Sequence, residues 1–273
     1  MTDLFAVEVP RDFVKVSGTD AASFLQGQLS QDIEVLRERR SAWSFLLQPQ
    51  GKVDAWLRLS EPHPGEFVLD VDAGFGEVVI ARLNRFKIRV AVDIAPLGWR
   101  CVAVRGDGAS EIAGLGAEWP GIEAIDVVGP TVDVPVGRAG SMADYERARI
   151  LAGVPAMGRE ITAATIPAES GVLERSVSFS KGCYTGQELV ARIDSRGGNV
   201  PHHVRGVRIV GDAAVGARVE HEGRDVGEIT SAVADAGGTV ALAVLARVVV
   251  PPVTVVVLAE SGRLSGSVFE LPV

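Results

Sequence analysis

The stretch SAWSFLLQPQGKVDAWLRLS, residues 41–60, places two short apolar runs on either side of Gln-Pro-Gln-Gly. Pro and Gly punctuate a turn and both flanking runs have strand character, so the segment predicts a β-hairpin. In its second run Val53, Ala55, Leu57 and Leu59 share one face, and Asp54, Trp56 and Arg58 share the other. Upstream, GTDAASFLQGQLSQDIEVLRER (18–39) predicts one helix capped by Thr19 or Asp20. Ala21, Phe24, Leu25, Ile33 and Leu36 fall mostly on one side, and Gln28 and Gln31 interrupt the pattern. Downstream, FVLDVD (67–72) predicts a strand, and GEVVIARLNRFKI (76–88) a helix with Val79, Leu83 and Phe86 at helical spacing. RVAVDIA (89–95) and GWRCVAVRG (98–106) return to strand character. Strands joined by short turns with helices laid on them predict an α+β layer structure rather than a doubly wound parallel sheet. The usual nucleotide loops, GxGxxG and GxxxxGK[ST], do not occur.

Residues 106–137 are rich in Gly and Pro and predict a short helix at most, whereas MADYERARILAGVPAMG (142–158) predicts a helix ending near Gly153. Residues 203–273 hold no good helix. Six short β-branched runs separated by Gly, Pro and Asp predict a small antiparallel barrel or sandwich. The polar stretch RGGNVPHH (196–203) separates the two parts, giving expected units of 1–200 and 201–273.

With 47% hydrophobic and 23% charged residues, the 273-residue chain can bury a sizeable core. Its net charge of −8 argues against a general nucleic-acid or membrane-surface binder, which needs basic faces. The start MTDLFAVEVPRDF lacks the basic and apolar regions of a signal peptide, and the run VVVPPVTVVVLA (248–259) is broken by two prolines. The expectation is a cytoplasmic protein without membrane or direct nucleic-acid partners. Two cysteines, Cys101 and Cys183, make neither a disulfide framework nor a four-thiolate site. Adjacent His202 and His203 on a strand would point to opposite faces, and no metal site is expected.

Cys101, in the alternating run WRCVAV, reads as a small buried hydrophobe. Cys183 lies in SFSKGCYTGQELVARIDSRG (178–197). Thr185-Gly-Gln-Glu188 fits a capping box with Thr185 at the N-cap, which places Cys183 two residues before a helix. Free N–H groups, the helix dipole and nearby Lys181 would favour its thiolate. Gly182 and Gly186 would let a ligand or partner approach the backbone. On residues alone, a working thiol and a small hydrophobe in a turn weigh evenly. Glu188, Arg192 and Arg196 follow at four-residue steps along one helix face.

The string Lys181-Gly182-Cys183-Tyr184-Thr185-Gly186-Gln187-Glu188 resembles the signature of the YgfZ family, folate-binding proteins related to the GcvT aminomethyltransferase of the glycine cleavage system. VSGTDAASFLQGQLSQDI (16–33), LLQPQGKVDAWLRL (46–59), RFKIRV (85–90), RARILAGVPAMGREI (147–161) and IPAESGVL (166–173) follow in the family's order, so the resemblance covers nearly the whole chain. It implies a two-lobed folate-binding region of antiparallel sheet plus helices, then a small C-terminal β-barrel. It also implies tetrahydrofolate or a derivative as cofactor. The implied role is in assembling or maintaining iron–sulfur enzymes, including radical enzymes that modify tRNA, with no cluster held by this chain alone. The motif cysteine, here Cys183, is the implied functional thiol, presented beside the folate hollow.

The resemblance further implies that Glu169, in IPAES, helps hold the pterin, since a carboxylate accepts hydrogen bonds from its amino and ring N–H groups. Ala55 and Trp56 stand where the transferases carry an acidic pair, and Asp54 is displaced by one or two residues, which argues against aminomethyl transfer. Trp56 could instead stack on a flat ligand or simply pack. For the folate carboxylates, Arg85, Lys87 and Arg89 offer one basic face if RFKIRV is extended, and Arg192 and Arg196 another. The competing expectations are a tetrahydrofolate-dependent one-carbon transferase using Asp54, and a thiol redox or cluster-relay protein.

Overall fold

The computed structural model describes residues 3–133, 137–195 and 197–271. In chain order the first part contains β1 (Phe5–Val9), β2 (Arg11–Ser17), α1 (Ala21–Gln28), β3 (Ser41–Leu47), β4 (Val53–His63), β5 (Glu66–Asp72), α2 (Gly76–Phe86), β6 (Asp93–Leu97) and β7 (Arg100–Arg105). There follow β8 (Leu115–Gly116), β9 (Ala124–Gly129), β10 (Arg138–Ala139), α3 (Met142–Leu151), the short α4 (Leu173–Ser176) and α5 (Gln187–Asp194). The last six strands are β11 (His202–Val210), β12 (Arg218–His221), β13 (Arg224–Asp235), β14 (Gly238–Ala246), β15 (Val253–Ala259) and β16 (Gly262–Phe269).

These strands make an α+β protein. One five-stranded sheet runs β3-β4-β5-β2-β6, a second runs β10-β1-β7-β9-β8, and the last six strands close into a barrel, β11-β14-β13-β12-β15-β16. Neighbours in the first sheet and in the barrel are antiparallel, and β1 with β10 is the one parallel pair among the described residues. The predicted hairpin is β3–β4, with Phe45 opposite Trp56 and Trp43 opposite Arg58. Val53, Ala55, Leu57 and Leu59 join a large core with Phe24 and Leu25 of α1 and Val79 and Leu83 of α2. The polar face of β4 is equally enclosed: Trp56 is 3% exposed and Arg58 0%. Arg58 donates to Asp126 of β9, so the second sheet covers that face.

The helix expected over 18–39 is broken. α1 ends at Gln28, Leu29 turns extended, and a 3-10 turn follows at Ile33–Arg37. Ser30 causes the break by joining a buried cluster. Its N–H donates to the Phe45 carbonyl, and its hydroxyl donates to the Ser176 carbonyl at 2.6 Å. The polar Gln28 and Gln31 marked the discontinuity. Asp20 is the N-cap residue, but its carboxylate takes the Ala91 N–H rather than capping α1. RFKIRV is not extended either: Arg85 lies in α2 and Arg89 has φ 55°, so no alternating basic face forms there.

The barrel is fastened to the rest by a buried carboxylate. Glu160, 2% exposed, accepts from Arg149 Nη1 (3.1 Å), the Ala156 N–H (2.9 Å), Thr230 Oγ1 (2.7 Å) and Ser231 Oγ (2.6 Å). Arg149 Nη2 also donates to Ser231 Oγ at 2.6 Å, so one guanidinium on α3 grips β13. Four donors offset the cost of burying that charge.

Candidate functional site

Two places carry unusual chemistry: the loop around Cys183 and a cavity between the two sheets. Cys183 is exposed and Cys101 is buried. The loop is held by Lys181, whose ammonium donates to the carbonyls of Gln26 (2.8 Å), Leu29 (2.8 Å) and Gln31 (2.9 Å). These acceptors surround the C-terminal end of α1, where orphan carbonyls and the negative dipole end attract a cation. Burial pushes the ammonium down to about 8, against the pull of Asp32. The lysine expected to favour a thiolate therefore spends its donors on backbone, and it also sits 5.4 Å from the Tyr184 ring centroid.

The capping box expected from Thr185 and Glu188 does not form. α5 begins at Gln187 with Gly186 as its cap residue, and no side chain caps it. Gln187 Oε1 instead accepts the Tyr184 N–H at 3.2 Å, and the Thr185 N–H reaches the Gly27 carbonyl at 3.1 Å. The cause is Gly186, left-handed at φ 84° and pressed onto the β3–β4 turn. A Cβ there would meet the Gln48 carbonyl oxygen at 2.5 Å and the Gly51 Cα at 3.2 Å. Gly186 thus admits the chain itself rather than a ligand, while Gly182 faces open space. Glu188 is exposed and makes no ion pair with Arg192 among the described residues.

The cavity, about 190 Å³, is walled by Arg11, Trp43, Trp56, Asp72, Tyr145 and Arg149 among others. Behind it an alternating chain of charges crosses from one sheet to the other. Arg11 Nε meets Asp70 at 2.7 Å and Arg58 Nε meets Asp70 at 3.0 Å. Arg58 Nη1 meets Asp126 at 2.8 Å, and Arg105 Nη2 meets Asp126 at 2.8 Å. Burial opposes ionisation of Asp126, but Arg105 and Arg58 outweigh it and hold the carboxyl down at about 2. Every carboxylate on the cavity wall has an arginine partner: Asp72 with Arg11, Asp126 with Arg58 and Arg105, and Glu146 with Arg149 and Arg159. Arg105 Nε is buried without a partner. Trp43 and Trp56 stack with centroids 4.1 Å apart and planes 17° apart. Trp56 Nε1 donates to Ser176 Oγ at 2.9 Å, and the Arg175 guanidinium sits 5.3 Å from the Trp56 ring centroid.

The other expected site residues lie elsewhere. Glu169 closes a 3-10 turn, accepting the Ile166 N–H at 2.9 Å, with its second oxygen 3.1 Å from His202 Nδ1; it does not line the cavity. Asp54 pairs with Arg82 of α2 at 3.3 Å and is likewise absent from the cavity wall. Burial raises its pKa, with Arg82 pulling the other way. Arg85 and Arg192 are exposed, and Arg196 lies outside the described residues. Cys183 does not line the cavity. Its loop rests on the turn end of the β3–β4 hairpin, three strand residues, or roughly 10 Å, from Trp56. Of the wall, the sequence pointed only to Trp56. Charged residues inside apolar strands, Arg58 in DAWLRLS and Asp70 in VLDVD, were its only other local signal. Among the described residues, no group of three or more His, Cys, Asp or Glu could hold a metal ion, and no helix is long and apolar enough to cross a membrane.

No protein-family model matches the chain. An uncharacterized protein of Haemophilus influenzae is 29% identical over 228 residues, covering 81% of each chain. The mitochondrial iron-sulfur cluster assembly factor IBA57 of Homo sapiens is 30% identical over 218 residues, 68% of this chain and 61% of that protein. The tRNA-modifying protein YgfZ of Edwardsiella ictaluri is 30% identical over 227 residues, 68% of this chain and 65% of that protein. The chain thus spans somewhat less than two thirds of these last two relatives. In fold it is similar to the glycine cleavage system aminomethyltransferase T of Bartonella henselae, with a TM-score of 0.83, 19% identity, and coverage of 99% of this chain and 86% of that one.

Proposed function

The chain belongs to the YgfZ family, related to the GcvT aminomethyltransferases, and from that premise we propose that it is a folate-binding accessory protein. It supports the assembly or maintenance of iron–sulfur enzymes, radical tRNA-modifying enzymes among them, and acts through Cys183. The observation that carries the reading is the presentation of Cys183. An exposed thiol sits in a loop fixed by a three-carbonyl lysine clamp and a glycine-to-glycine contact. A thiol that merely filled space would need neither exposure nor such fixing.

The cavity suits one end of a folate. Its aromatic wall offers flat apolar surface to a pterin ring, and Asp72 and Glu146 keep acceptor lone pairs for amino and ring N–H groups. Arg11, Arg149 and Arg159 supply cations on the same wall. At about 190 Å³ it is smaller than the ~300–1,000 Å³ of most small-molecule pockets, so a ring system enters and the glutamate tail stays outside. Bound tetrahydrofolate would supply a one-carbon carrier. Proton transfer there has little support from this chain's residues, because the wall carboxylates are engaged by arginines and Asp54 is engaged by Arg82. The likeness to the human and Edwardsiella proteins supports the iron–sulfur and tRNA-modification part of the reading. The cell compartment expected is the cytoplasm, with folate and iron–sulfur client proteins as partners.

The test pairs two measurements on Cys183→Ala. Tetrahydrofolate titration should give an unchanged Kd by tryptophan fluorescence. In a host lacking the protein, the variant should fail to restore the modified tRNA nucleosides made by an iron–sulfur radical enzyme. Full restoration by the variant overturns the reading.

A further inference from the structure

Charge on this acidic chain is segregated. The arginines of the cavity and many of those on the barrel are paired: Arg11, Arg58, Arg105, Arg149, Arg208, Arg218 and Arg263 each meet a carboxylate. Around the Cys183 loop the pattern reverses. Among the described residues, Lys52, Arg85 and Arg192 are exposed and none lies within salt-bridge distance of a carboxylate. Local contacts place them in one neighbourhood. Lys52 closes the β3–β4 turn, its carbonyl accepting the Gln48 N–H, next to Gly51. A Cβ on Gly51 would touch Leu189 Cβ at 2.5 Å, and Arg192 is one turn further along α5. Arg82 of α2 grips the Leu47 carbonyl at 2.8 Å and Gln28 at 3.1 Å, and Arg85, one turn on, is close enough to act on Asp54. Lys87 and Arg89 continue the positive run beyond α2. Against these cations stand the exposed α5 acids Glu188 and Asp194. In the same loop as Cys183, Phe179 is 53% exposed, an aromatic with no core to fill.

We infer that this face is a docking surface for a protein partner whose own surface is acidic, with Phe179 as the apolar anchor and Lys52, Arg85 and Arg192 as the steering rim around Cys183. The inference rests on the reading of Cys183 as the working thiol and adds the chemistry of what reaches it. An aromatic anchor within a charged rim is the anatomy of a protein interface. A nucleic-acid groove would line its track with cations and stacking rings, whereas here one exposed ring and one exposed thiol lie in the same loop. Complementary charge raises encounter rates and discriminates among partners.

The test uses the full chain and three synthetic peptides of equal length. Each carries one cysteine as a 2-thiopyridyl disulfide, flanked by acidic, neutral or basic residues. The Cys183 thiolate attacks the peptide sulfur, a mixed disulfide forms, and 2-thiopyridone leaves and is read by absorbance. Cys183→Ala supplies the blank. The acidic peptide should react about tenfold or more faster than the neutral one at low salt, and the advantage should vanish at high salt. The triple variant Lys52→Glu, Arg85→Glu, Arg192→Glu should favour the basic peptide while keeping the neutral-peptide rate. Equal rates for acidic and neutral peptides overturn the inference. So does a single-stranded RNA oligonucleotide that blocks the reaction better than a cysteine-free acidic peptide of equal charge. Complementation by Cys183→Ala with steering intact would sink the thiol reading alone.

Discussion

Gly51 and Gly186 meet backbone to backbone. Each has a left-handed φ, 83° and 84°, and a Cβ on Gly51 would lie 2.9 Å from the Gly186 carbonyl oxygen. One glycine belongs to the turn that defines the hairpin and the other to the thiol motif. Their contact therefore ties the strand bearing Trp56 to the loop bearing Cys183.

Gly186→Ala should strain the backbone and push the loop off the turn. The expected loss is about 1–3 kcal/mol, read as a lower urea midpoint. Alkylation of Cys183 should quicken at the same time, because the loop is no longer held. An unchanged midpoint would contradict the contact.

Native protein should show one thiol that reacts promptly with a disulfide reagent, and two after unfolding in urea. Burial pushes the Cys101 thiol well above its ordinary range, and it is almost wholly shielded from solvent. Cys183→Ala should remove the prompt phase entirely.

Lys181→Met should leave three carbonyls at the end of α1 without their donor, at about 1–3 kcal/mol. Amide exchange measured across residues 26–31 should accelerate more than exchange in the barrel. Lys181→Arg should rescue only in part, since a planar fork does not converge on three acceptors as an ammonium does.

Asp126 links stability to acid. Its folded pKa, about 2, lies below the unfolded 3.8, so its contribution is fully present above pH 4 and is lost as pH falls toward 2. The size is about 2 kcal/mol. A carboxyl-carbon NMR titration of the native protein should give a midpoint near 2 for this side chain, and a midpoint near 4 would refute the pairing. Asp126→Asn should cost about 3–5 kcal/mol, because it leaves Arg58 and Arg105 buried without their shared anion.

The hairpin at 41–60 was legible because strand periodicity and a Pro-Gly turn act over a few residues. The six closing runs were legible as strands for the same reason, and the α+β class followed from their order. What failed depended on distant partners. Ser30 broke the helix expected over 18–39 by bonding to Phe45 and Ser176, and Gln48 and Gly51 displaced the cap expected at Thr185. The cavity was the least legible feature. Arg58, Asp70 and Asp126 come from three strands in two sheets, and nothing in their local sequence says that they meet. That Trp56 and Arg58, on the face they share with Asp54, would be buried under a second sheet was likewise not legible in the strand alone.

The grip of Arg149 and Glu160 on Ser231 limits how far the β-barrel can move from the rest of the chain. Swinging the β-barrel outward as a hinged door would strip a guanidinium and a carboxylate of their partners while both remain sheltered from water. At about 3–5 kcal/mol, such an opened form is occupied by roughly one molecule in a hundred or fewer. The barrel therefore stays seated against α3 while the cavity, which no barrel strand lines, keeps its walls.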